Sequence, residues 1–153
     1  MSKPNISAPD LTKRAPRSPR CRLGGYVILP RMLDKGRAEI AGTNGEYNYN
    51  CPLDQHFVNF TGVDPQAMRE ELAAGKGDGD ILTWIKANAK HQRAPWEIEQ
   101  WSDYQQRRGP DGDLETVQYF AEAVGKLATT REDIRTWGDL LDLDDYVSFG
   151  GKP

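Results

Sequence analysis

GEYNYNCPLDQHFVNFTGVD, residues 45–64, holds one of the two cysteines, one of the two histidines, two tyrosines, two phenylalanines and Asp54. Asn44-Gly45 in front of it is a turn signal, and Pro52 directly after Cys51 is placed to begin a helical turn. Thr61-Gly62 ends that turn, and Asp64-Pro65 opens the next helix. Reactive side chains held between rigid helices are where a pocket is most often found.

Downstream the helical signals become regular. Asp64-Pro65 opens PQAMREELAAG, which Gly75 closes, and GKGDGD (75–80) is a loop whose Asp78 or Asp80 caps the next helix. That helix carries Ile81, Trp84, Ile85 and Ala89 on one side. Ala94-Pro95 starts another, with Ile98, Trp101 and Tyr104 or Gln105 inward. Asp111 or Asp113 caps a helix with Leu114, Val117, Ala121, Val124 and Ala128 as its stripe. Thr130 caps the last, with Ile134, Trp137 and Leu141 facing inward, and the acidic, aromatic end folds back or frays.

Upstream, residues 1–17 are rich in Pro, Ser and Arg without apolar period and read as an extended basic arm. Ser18-Pro19 is a turn or helix opening. Gly24-Gly25 and Pro30 interrupt the next stretch, giving an irregular piece or a short YVIL strand, then a helix from about Pro30 to Ala41. The expectation is a mainly α, single-domain irregular bundle of about six helices, with an ordered loop and short turn around residues 42–63. The arm takes 1–17, the helical domain 18–146 and a flexible tail 147–153.

Composition sets outer bounds. The 153 residues fit one domain, 37% hydrophobic and 28% charged, which is ordinary for a folded soluble chain. No apolar run approaches the ~20 residues that span a bilayer, and the first ten lack a signal peptide's apolar core. With only Cys21 and Cys51, both read as free thiols, the expected home is the cytoplasm. The net charge of −3 is asymmetric: residues 1–37 carry nine Lys/Arg against two acids, +7, and the rest eleven against twenty-one, −10. An acidic body repels a nucleic acid at long range, so the arm is read as lying on that body and neutralising it.

DLTKRAPRSPRCRLGGYVILPRMLDKGRA (10–38), CPLD (51–54), FVNFTGVD (57–64), GDGDILTW (77–84) and DIRTWGDLLDLDD (133–145) together resemble a bacterial domain-of-unknown-function family, the one numbered 5069. The resemblance covers about residues 10–146. It implies no particular activity or cofactor, and it favours Asp54 over Cys51 or His56 for a role shared across such a family.

Cys51 and His56 are five residues apart, close enough to meet across a helical turn, with Asp54 to orient the ring. Set against that, catalytic Cys–His pairs usually come from separate elements, and the preferred reading is Cys51 as a small buried apolar residue and His56 as a partly exposed one. No cysteine pair has zinc spacing and neither histidine follows a Glu by three, so no metal or other cofactor is expected. GKGDGD lacks phosphate-loop spacing, and the acidic cluster of Asp139, Asp142, Asp144 and Asp145 lacks a calcium loop's glycine and glutamate.

Two function classes are compatible with these residues. In the first, a small and anionic metabolite binds beside Cys51, Asp54 and His56, with Arg17, Arg20 or Arg31 supplying positive charge. An enzymatic version uses Asp54 as acid/base, with Cys51 or Tyr49 as an accessory group. In the second, the chain is a non-catalytic interaction or self-association module using the aromatics of YNYN and Trp96. Trp96 falls in the first turn of its helix, where exposure or a pocket rim is expected.

Overall fold

The computed structural model describes residues 6–153, so residues 1–5 of the expected arm lie outside the described residues. Among the described residues a two-stranded antiparallel hairpin, β1 (Arg22–Leu23) and β2 (Tyr26–Val27), precedes seven helices. They are α1 (Leu29–Ala41), α2 (Pro52–Thr61), α3 (Pro65–Ala73), α4 (Asp78–Asn88), α5 (Pro95–Arg107), α6 (Leu114–Leu127) and α7 (Trp137–Ser148). The chain is mainly helical, as its punctuation predicts. The helix beyond the expected six is α2, ten residues long where a short turn was expected. Pro52 at its first position, the Asp54 side chain folded back on Cys51 N and left-handed Gly62 at its end together sustain the extra turns.

Gly24 and Gly25 both take positive φ, 59° and 86°, as a tight hairpin requires, which makes Tyr26-Val27 a strand. Ile28 then turns left-handed at φ 74° to launch α1. This conformation strains a β-branched residue. It is held by burial of the side chain and by the Ile28 N–H donating to Pro19 O at 3.0 Å. Helix α1 is the hub. Leu29, Met32 and Leu33 are fully buried and pack with Phe57, Met68, Leu72, Ile81 and Ile85 of α2 to α4. Gly36 lets that packing close, since a Cβ there would lie 2.7 Å from Leu72 Cδ1 and 3.0 Å from the Tyr49 ring.

Three further expected features are different in the structure. The last helix starts at Trp137, capped by Thr136 and not Thr130. Asp139 N donates to Thr136 Oγ1 at 3.0 Å, and Asp139 Oδ2 accepts from the Thr136 N–H at 3.0 Å. It also runs to Ser148, two residues into the expected tail, after which Gly151 N turns back onto Tyr146 O at 2.8 Å. On α6, Leu114 (70% exposed), Val117 and Ala121 face outward, and Phe120 is the residue buried, edge-on to Trp137. No helix among the described residues is long and apolar enough to cross a membrane.

Candidate functional site

Arg31 and Lys35 stand one turn apart on α1 and therefore project from one face. Each meets an acid from a different helix. Arg31 Nη1 and Nη2 donate to Asp145 Oδ2 and Oδ1 on α7, at 2.7 and 3.2 Å. Lys35 Nζ lies 2.9 Å from Asp54 Oδ2 on α2 and donates to Cys51 Sγ at 3.1 Å. Both pairs are out of water: the side chains are 4% and 9% exposed in the first pair, 3% and 0% in the second. Burial alone would lower the Arg31 pKa, but the Asp145 carboxylate outweighs it and raises it above the ordinary value. The Tyr47 hydroxyl joins that pair by donating to Asp145 Oδ1 at 2.7 Å. Burial first, and then the bond and charge of Asp145, push the Tyr47 phenol well up.

The cation of each pair, Arg31 and Lys35, lines an open cleft of about 560 Å³. Leu11 and Thr12 of the arm form one wall, and Glu46, Tyr47 and Asn48 of the loop after α1 form another. Cys51 and Leu53 contribute from the start of α2, and Leu141, Asp144 and Phe149 from α7 and its end. The loop is fixed by the arm, since Leu11 N donates to Thr43 O at 2.8 Å and Thr43 Oγ1 to Pro9 O at 2.9 Å.

Asp54 does not face this cleft. It lies behind Lys35, fully buried, and Oδ2 accepts from Asn50 N at 2.9 Å and Cys51 N at 3.4 Å besides the ammonium. Oδ1 has no hydrogen-bond partner. A group so enclosed fixes Lys35 and the Cys51 turn, and it does not reach a ligand as an acid or base. Cys51 does face the cleft. His56 does not: it points away, half-buried near Arg108, so the Cys51–His56 pair expected from spacing is not formed.

Among the arginines expected to meet an anion, only Arg31 reaches the cleft. Arg17 is bound to Asp34 and Asp78, and Arg20 to Asp139 and Asp142. Arg22 and Arg37 likewise meet Asp103 and Asp78. Tyr49 is spent on structure, its hydroxyl donating to Pro65 O at 2.6 Å. Trp96 is 62% exposed and lines no cavity with Cys51. Sequence reasoning does not single out Lys35, and it names Tyr47 only among the YNYN aromatics of an interaction surface. A signal for Lys35 is nonetheless present: a lysine four residues after Arg31 on the helix that carries the most buried apolar residues.

His56 gives a pH prediction. Burial first, and the nearby Arg108 charge second, hold it below the ordinary value of 6.5. The unfolded chain therefore takes up this proton at a higher pH than the folded one. The stability that the neutral ring contributes is present above pH 6.5 and lost as pH falls from there through the folded value. Between about pH 7.5 and about 5.5, the melting temperature of His56→Gln is expected to fall less than that of the wild type. Parallel slopes would remove His56 from the effect.

A family model described as "Domain of unknown function (DUF5069)" matches residues 13–147. No curated protein matches the chain.

Proposed function

We propose that this chain, which belongs to the DUF5069 family, is a small-molecule-binding domain whose site is the cleft between the arm, α1, the Cys51 turn and α7. The observation that carries this reading is a lysine only 3% exposed on the wall of an open cleft. With Asp54 and Cys51 as its polar neighbours, the Lys35 ammonium keeps a third N–H for an acceptor on a ligand. The volume, about 560 Å³, falls in the range that encloses a metabolite-sized molecule. Leu11, Leu53, Leu141 and Phe149 offer it an apolar body contact.

Charge narrows the ligand. Arg31 and Lys35 are each balanced by a buried carboxylate, and Glu46 and Asp144 add negative charge to the walls. A single carbonyl or carboxylate meeting Lys35 is the most that this balance admits, and a polyphosphate exceeds it. Two free cysteines support placing the protein in the cytoplasm. Monocarboxylates and amides are expected to raise the melting temperature, with about 2.7 kcal/mol of stabilisation at a hundred times Kd. Ser148→Trp, at the exposed mouth of the cleft, is expected to fold normally and abolish the shift. Shifts that survive in Ser148→Trp, or none with any small molecule, would overturn the reading.

A second reading, self-association, is favoured by α6, where Leu114 and Tyr119 are 70% and 64% exposed beside Val117. Here the same melting experiment would show instead a midpoint that rises with protein concentration.

A further inference from the structure

We propose, building on the binding reading above, that Cys51 is a modification site: its sulfur adds small α,β-unsaturated carbonyl compounds that enter the cleft, with Lys35 positioning both partners. Cys51 Sγ accepts from Lys35 Nζ at 3.1 Å, and both residues line the same cleft. The Lys35 ammonium is thus held within hydrogen-bond reach of the attacking sulfur, on the side where an entering carbonyl compound would lie. Cys51 is also the N-cap of the ten-residue α2, where backbone N–H groups present partial positive charge. Asp54 fixes the ammonium rigidly and offsets part of its field, so positioning contributes alongside charge.

The step balances without a co-reactant. Cys51 Sγ bonds to the β-carbon of the conjugated carbonyl, and the π pair of the carbon–carbon double bond moves toward the carbonyl oxygen. That oxygen accepts the remaining N–H of Lys35, where negative charge develops. The thiol proton ends on the α-carbon, and nothing leaves. Cys21 provides the internal standard, because it is the chain's other free thiol and is exposed outside the cleft.

The test is the rate at which acrylamide modifies each cysteine of the intact protein, read by peptide mass spectrometry. Cys51 is expected to react about tenfold faster than Cys21 in the folded chain, and the two rates to converge in denaturant. Cys51 reacting no faster than Cys21 in the folded chain would overturn the proposal. Lys35→Met/Asp54→Leu, which removes both charges together, is expected to lose the advantage, and keeping it in full would overturn the role of Lys35. Should that double variant fail to fold, Ser148→Trp serves: Cys51 is expected to slow while Cys21 does not, and an unchanged Cys51 rate would place the reaction outside the cleft. Melting shifts of the wild type with acetate or acetamide keep the two proposals apart. Shifts with an unreactive Cys51 sink only the thiol chemistry, and a fast Cys51 without shifts sinks only reversible binding.

Discussion

Lys35→Met is expected to lower folding stability by about 3–5 kcal/mol, because it leaves a buried carboxylate without its counter-charge. In a chain of 153 residues that is a fall in melting temperature on the order of 10 °C. Asp54 would retain only the N–H groups of Asn50 and Cys51, with Oδ1 still unpartnered. Adding Asp54→Leu removes the stranded charge and is expected to recover about half of the loss. The remainder persists because those two N–H groups lose their acceptor, at roughly 1–2 kcal/mol. Denaturant titration of the wild type, both single variants and the double variant measures the coupling directly. If Lys35→Met alone costs under about 1 kcal/mol, the pair is open to solvent and is not the buried ion pair of this account of the fold.

What the sequence revealed is what local chemistry determines. Pro52, Pro65 and Pro95 each stand at the first position of a helix, and Asp64 and Asp113 cap theirs, all legible within four residues. The start of α7 was not legible, because Thr130 and Thr136 both begin a Thr-x-x-Asp pattern. The second is chosen by tertiary contacts. Arg20, far away in the chain, binds Asp139, and Trp137 N donates to Arg108 O, while Arg131 turns aside onto Asp133. The α6 stripe misled for a related reason. Periodicity fixes that one face is apolar, and only the neighbouring helix decides that Phe120 is the residue covered. At the site, the Cys51 turn was visible as a cluster of reactive residues. The partner of Cys51 was not, because His56 is near in sequence whereas Lys35, sixteen residues upstream, is near in space. Asp54, read from the sequence as an acid/base, lies behind Lys35 and pairs with it.

Arg31→Met is expected to cost a similar ~3–5 kcal/mol, with a different distribution over the molecule. The central core draws on the hairpin and α1 to α4, with Ile98 and Trp101 of α5 packed against it, and contains no residue of α6 or α7. Helix α7 is joined to α1 through polar contacts: the Arg31–Asp145 fork and the Tyr47 hydroxyl on the same carboxylate, with Arg20 reaching Asp139 and Asp142 nearby. Removing Arg31 leaves Asp145 buried with Tyr47 as its one remaining donor, and takes the guanidinium off the Tyr47 ring, 5.4 Å from its centre. The loss should therefore appear first as local opening. Amide hydrogen exchange over residues 137–148 is expected to accelerate while Leu29–Leu33 and Phe57 stay protected. Since Leu141 and Asp144 wall the cleft, ligand-induced melting shifts should vanish with it. Arg31→Lys is expected to recover only part of the protection, because an ammonium cannot make the two-nitrogen fork onto Asp145. Uniform acceleration across all helices would mean that α7 belongs to the main cooperative unit, and that the cleft is bounded by the core itself and not by a helix tethered to it.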